Sequence, residues 1–96
     1  MKQVIFTITR RNVGELTRKR ETIDCKADYS HGRLAAEDFY NFLRKTIKDN
    51  ESNGMEIERA TMLLPEHDVE FKMPTHRLPY LKEDDIMQAI IFLRSF

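Results

Sequence analysis

The feature that most constrains this fold is the spacing of its apolar residues, which changes several times along the chain. Val4, Phe6 and Ile8 recur at every second position, and the same alternation returns between Ile23 and Tyr29. Successive side chains of a strand point to opposite faces, so this spacing predicts two strands with one buried face each. Asn12, Val13 and Gly14 lie between them and favour a turn, so we expect a first hairpin whose second strand falls within 16–29.

A helix is predicted after the break at 30–32, because the spacing changes there to three and four residues. Apolar residues at this spacing gather along one stripe of a helix. The stripe consists of Ala35, Phe39, Phe42, Leu43 and Ile47, together with Thr46. Asn53 and Gly54 tolerate the left-handed conformation that closes a helix, so we expect the helix to end within 50–54.

The second half of the chain repeats the pattern of hairpin and helix. Residues 55–64 predict a third strand, although their alternation is less regular, and Val69, Phe71 and Met73 predict a fourth. A proline-bearing connector over 75–81 leads to a terminal helix that begins near Glu83, where three acidic residues suit a helix start. The element order is therefore ββαββα.

The expected fold is α+β, with a single domain over 1–96. Two antiparallel hairpins form one four-stranded sheet, and both helices pack on one of its faces. The chain has 96 residues, enough for one modest core. We expect a cytoplasmic protein without membrane contact, because we find neither a secretory signal nor an apolar run near the ~20 residues of a spanning helix. The single Cys25 cannot form an intramolecular disulfide.

The terminal helix has more apolar residues than one buried stripe needs. From Ile86 to Leu93 only Gln88 is polar. Once one stripe of the helix is buried, three apolar residues remain to be covered: Met87, Ile91 and Phe92. Either the helix lies deep between the sheet and the first helix, or these residues contact a second copy or another partner. In the second case we expect a two-fold homodimer.

Charge is unevenly distributed along the chain. Residues 1–20 hold six basic residues and one acidic residue, a net charge of +5, whereas the whole chain is neutral. The candidate binding residues are Arg10, Arg11, Arg18, Lys19 and Arg20. Hairpin pairing brings them together, and guanidinium groups suit phosphate or carboxylate. Three interpretations stay open: contact with an acidic protein, contact with nucleic acid, and a solvated hairpin whose charges protect an edge strand.

Acidic residues predominate from Asp49 to Asp85, a range that includes the third and fourth strands. Glu56 and Glu58, and likewise Asp68 and Glu70, are two positions apart, which places each pair on one face of a strand. This surface could contact a basic protein, imitate the charge of a nucleic acid, or serve only as a solvated face. Arg59 and Lys72 interrupt it.

No convergent set of reactive groups is visible, so we expect a non-enzymatic protein with no cofactor and no metal. His31, His67 and His76 lie in or beside predicted turns at spacings that match no zinc motif. The enzymatic alternative is a small nuclease that uses these histidines with Arg77 and Tyr80. Cys25 belongs to the inward set of its strand and is expected to be a core residue.

The function expected from the sequence is a small binding or regulatory module that acts through contact with a protein. Small proteins of this kind often serve as regulators or inhibitors, including those of phages and mobile elements. The alternative is a nucleic-acid-binding protein that uses the basic first hairpin.

Overall fold

The computed structural model describes residues 3–14, 20–28, 30 and 32–95, and it confirms the predicted α+β order. The elements are β1 (Gln3–Asn12), β2 (Arg20–Asp28), α1 (Gly32–Asn53), β3 (Met55–Leu64), β4 (Val69–Met73), a 3₁₀ helix (Thr75–Tyr80) and α2 (Glu83–Arg94). The strands form one antiparallel sheet in the order β2-β1-β3-β4. Both predicted hairpins are present, and the chain crosses between them through α1.

One face of the sheet is covered, and β1 shows why. Val4, Phe6 and Ile8 have no exposed surface, whereas the residues between them are only half-buried. Phe6 lies opposite Cys25 of β2 and Met62 of β3, so the apolar positions of three strands line up on the same face. This alignment follows from the period of two, because a shift of one residue would turn the apolar set toward solvent.

Both helices pack on that face. The buried stripe of α1 includes Phe39 and Leu43, and Phe6 meets the rings of Phe39 and Phe42 edge-on at 5.5 and 5.6 Å between centroids. Edge-to-face pairs of this kind add to the stabilisation from buried area. From α2, the side chains that complete the core are Ile86, Ile90 and Leu93.

Helix boundaries are set by local backbone chemistry. Gly54 has φ +63° directly after α1, which is the left-handed conformation expected at a helix end, and its carbonyl accepts a 2.9 Å hydrogen bond from the Val13 amide. At the start of α2, the amide of Lys82 donates to the Asp85 carboxylate at 2.8 Å. The three acidic residues expected there lie in the first turn, where their negative charges interact favourably with the helix dipole.

A bulge in β3 accounts for the irregular alternation of its sequence. Thr9 of β1 lies opposite Arg59, but the next residue, Arg10, lies opposite Ile57. Glu58 is therefore an extra residue on β3, and no residue of β1 is paired with it. The bulge lets Ile57 stay half-buried against the core while Glu58 takes part in the charged surface described below.

The packing of the core predicts that truncation of two leucines of α1 lowers the stability of the fold by very different amounts. Leu43 is fully buried in α1, whereas Leu34 is 59% exposed. We expect Leu43→Ala to lower the free energy of unfolding by about 2–5 kcal/mol through lost burial and a cavity. Leu34→Ala should change it by at most about 0.5 kcal/mol. Urea denaturation followed by circular dichroism measures both, and equal losses would contradict this packing.

Candidate functional site

Each described arginine of the basic hairpin is paired with a glutamate of the same chain. Arg10 Nη2 lies 3.0 Å from Glu21 Oε2 across the hairpin. Two further pairs reach β3, with Arg11 Nη2 2.7 Å from Glu56 Oε1 and Arg20 Nε 2.9 Å from Glu58 Oε2. The charge of these arginines is therefore largely offset within the molecule. Arg18 and Lys19, the other two candidate binding residues, lie outside the described residues.

Arg10 serves as a structural link between the sheet and α1. Its side chain is only 12% exposed, and Nη1 donates a 3.1 Å hydrogen bond to Oδ1 of the buried Asn50. Its Nε is also buried and has no hydrogen-bond partner. A guanidinium held in this way fixes the end of the hairpin against the helix and has little surface left for a ligand.

The same ion pairs divide the acidic surface of the second hairpin. Glu56 and Glu58 face arginines of the first hairpin, as described, and Glu70 Oε1 accepts from Arg59 Nη2 at 3.0 Å. Arg59 and Glu70 are both about half-exposed, so this pair contributes little to stability. The open face of the sheet is consequently a mosaic of both signs.

Candidate reactive groups do not converge among the described residues. His76 lines a shallow groove of about 300 Å³ with Asn50 and Glu51, whereas its neighbour Arg77 lines a different groove. His67 is exposed in the turn between β3 and β4. Within the described ranges no group of three His, Cys, Asp or Glu side chains is arranged to hold a metal ion. His31 lies outside those ranges.

Cys25 lies on the covered face of β2, packed against the core, as its position in the alternation indicated. Burial raises the pKa of its thiol, and the nearby Asp38 carboxylate of α1 raises that pKa further, because both disfavour the thiolate. A thiol in this setting is a weak nucleophile.

A groove of about 460 Å³, lined mainly by apolar residues, lies between β4 and α2. One wall is the α2 stripe of Asp85, Gln88, Ala89 and Phe92, and the opposite wall includes Phe71 of β4. The lining also includes Pro74, Arg77 and Leu81. We refer to these eight residues as the β4–α2 groove. Phe71 and Phe92 meet with ring centroids 5.9 Å apart, yet Phe92 keeps 53% of its surface exposed.

The three α2 residues predicted to need a cover occupy different environments. Met87 is partly buried against the core. Ile91 and Phe92 are 42% and 53% exposed, but consecutive helical residues point about 100° apart. Phe92 therefore belongs to the β4–α2 groove, and Ile91 lies on another flank of the helix. Phe71 was not among the candidate site residues taken from the sequence, although its place between Glu70 and Lys72 indicated an apolar residue of a strand.

The β4 strand is also an end of the sheet. Its register with β3 runs from Leu64 opposite Val69 to Ala60 opposite Met73, and β3 is its only strand neighbour in the described structure. An edge strand presents a row of backbone N–H and C=O groups on its outer side. Phe71 of this edge strand lines the β4–α2 groove, so an apolar side chain of the groove and the backbone hydrogen-bonding groups of the edge belong to the same strand.

Comparisons of the chain with protein-family models, with curated proteins and with solved structures give no match. No helix in the described part of the chain combines the length and the apolar character needed to cross a bilayer.

The link between Arg10 and α1 predicts that substitution of two asparagines of α1 affects the stability of the fold unequally. Asn50→Ala removes the acceptor of Arg10 Nη1 and leaves a buried charged donor unpaired, so we expect a loss of about 1–3 kcal/mol in the free energy of unfolding. Asn53→Ala, three residues later at the exposed end of α1, should have less than half this effect. Urea denaturation of both variants checks this, and an unchanged Asn50→Ala variant would contradict the structural role of Arg10.

The raised pKa of Cys25 predicts slow alkylation. Since only the thiolate reacts, the folded chain should react with iodoacetamide at pH 8 more slowly than the urea-unfolded chain, and its rate should rise at higher pH. Asp38→Asn should increase the rate at pH 8 by lowering the pKa. Asp24→Asn, beside Cys25 in sequence but on the other face of β2, is the control and should leave the pH profile unchanged. Faster reaction of the folded chain would contradict the account.

Proposed function

We propose that this chain is a small non-enzymatic binding module that docks an extended segment of a protein along β4. The segment pairs with the β4 edge as an additional strand and places apolar side chains in the β4–α2 groove. The observation that carries the proposal is Phe92, which is 53% exposed while its ring contacts Phe71 at an edge of the sheet. A large aromatic residue at an unpaired edge favours a protein ligand.

Strand addition suits this site for two physical reasons. Backbone hydrogen bonds to the β4 edge give affinity for any extended segment, and the side chains that alternate toward the helix layer give specificity. A segment paired with β4 continues the sheet, so every second side chain points to the side on which α2 lies. There it meets Phe71, Ala89 and Phe92, which are the apolar walls of the groove.

Charged residues of the groove add selectivity. Arg77 and Asp85 are among its lining residues and carry opposite charges. Each is available to a side chain of the opposite sign on the bound segment, and like charges in those positions would be rejected. The groove therefore favours an extended segment with apolar residues at alternate positions and with charges matched to these two.

The arrangement of the charged residues favours a protein ligand over a nucleic acid. Phosphate binding needs cations free to replace counterions. The described hairpin arginines, Arg10, Arg11 and Arg20, face their own glutamates instead. The same proposal places the protein in the cytoplasm, in a regulatory or inhibitory role in which the docked segment belongs to the regulated protein.

Selection from a library of random displayed peptides of about ten residues tests the proposal, since this length covers a strand of the size of β4. Peptides enriched on the wild-type chain should bind Phe92→Ser at least about tenfold more weakly, as expected for loss of an aromatic anchor. Ile91→Ser is the matched control, because it removes an adjacent exposed apolar residue from another flank of α2. Its affinity should change less than about twofold.

Two results would overturn the proposed function. One is the absence of enriched peptides. The other is a set of peptides that bind Phe92→Ser as tightly as wild type. Binding of a duplex at ~50 mM salt, with affinity falling steeply as salt rises, would favour the basic hairpin as the functional surface instead.

A further inference from the structure

We infer that the segment docked on β4 is the β4 strand of a second copy of this chain, paired antiparallel about a two-fold axis at Phe71. This inference rests on the proposed function, because it uses the same edge and the same groove. The result is a closed dimer in which two four-stranded sheets join into one continuous sheet.

The sequence of β4 is complementary to itself in charge. Its five residues read Val69, Glu70, Phe71, Lys72 and Met73. When two copies run antiparallel with Phe71 opposite Phe71, each Glu70 lies opposite the Lys72 of the other copy. Opposite charges that face each other across paired strands stabilise the pairing, whereas like charges destabilise it. Because of the two-fold axis, the pair of Glu70 and Lys72 occurs twice in the dimer.

The two faces of β4 also suit this pairing. Glu70 and Lys72 alternate with Val69, Phe71 and Met73, which pack on the core, so both charged side chains belong to the open face of the sheet. Lys72 has no ion-pair partner among the described residues, and Glu70 has the half-exposed Arg59. In the dimer each Glu70 carboxylate is therefore flanked by two cations, Arg59 of its own chain and Lys72 of the second copy.

On the helix side, the pairing covers surface that the single chain leaves exposed. Phe71 lies on this side of β4, and its ring contacts Phe92 of α2. The two-fold axis at Phe71 brings the Phe71–Phe92 pairs of both copies to the same junction. Apolar contacts then continue across the sheet edge on one face while charge pairs continue on the other.

Charge alone does not distinguish the opposite edge of the sheet from β4. An antiparallel pairing of two β2 strands about Asp24 would set carboxylate against carboxylate, but a pairing about Cys25 would set Asp24 opposite Lys26. The β4 edge differs in having the exposed Phe92, whose ring contacts Phe71. Self-association is therefore expected at β4, where the charge match and the apolar contact occur together, and the two-fold axis closes the dimer.

Charge-reversal variants examined by sedimentation velocity test the inference. The wild-type chain should shift from monomer to dimer between about 10 μM and about 1 mM, the range expected of a small interface. Glu70→Lys places lysine opposite Lys72, and Lys72→Glu places glutamate opposite Glu70, so each variant alone should associate at least about tenfold more weakly.

An equimolar mixture of Glu70→Lys and Lys72→Glu should restore association as a heterodimer, because both cross-strand matches are then of opposite charge. This rescue also shows that the two variants are folded. The controls are Lys26→Glu and Asp24→Lys, which make the same charge changes on exposed positions of β2. They should associate as the wild-type chain does.

Three outcomes would overturn the second-copy inference: a wild-type chain that stays monomeric, single variants that dimerise like wild type, or a mixture that fails to associate. A monomeric chain that still selects peptides sensitive to Phe92→Ser would leave the proposed function standing with a different protein segment on β4. A monomeric chain without such peptides would overturn both.

Discussion

The burial of one face of the central strand pair under two helices is the constraint on which the rest of the structure depends. Phe6 of β1 and Met62 of β3 lie opposite each other and are fully buried, so the register of the sheet cannot slip without exposing the core. Once this face is fixed, the charged residues between the apolar positions are directed to the other face. The order of the strands then determines which edges remain available.

Charge compensation follows from that register. Arg11 and Arg20 come from the basic first hairpin, yet they meet Glu56 and Glu58 of β3, some 40 residues later in the chain. The uneven charge along the sequence thus becomes a mosaic of ion pairs in the folded sheet. The three described arginines of the first hairpin are already paired with carboxylates, and the proposed function therefore rests on the apolar edge at β4 and α2.

The alternation of apolar residues predicted β1, β2 and β4, because one-sided burial is a local pattern. The bounds Met55–Leu64 of the less regular β3 were predictable from Gly54 and Pro65, which flank it. The cross-strand ion pairs were not predictable in the same way. They depend on the pairing of β1 with β3 and on the bulge at Glu58, both of which join residues far apart in sequence. The arginine cluster was visible, but its partners were not.

The candidate site was predictable only in part, for the same reason. The surplus of apolar residues on α2 drew attention to Met87, Ile91 and Phe92, but the sequence left open whether they are buried or exposed. In the fold Ile91 and Phe92 are exposed, whereas Met87 lies against the core. The role of Phe71 depends on β4 being an end strand, and strand order cannot be read from local periodicity. The groove exists because a short final strand and an apolar helix meet at one edge of the sheet.

The account places binding on the outer edge of β4, and amide hydrogen exchange tests this most directly. Exchange of the β4 and β2 amides should be compared in the dilute chain and in the chain at high concentration or saturated with a selected peptide. The account predicts slower exchange in β4 on occupancy, since its outward amides gain hydrogen-bond acceptors, and unchanged exchange in β2. Protection of β2 with no change in β4 would contradict it.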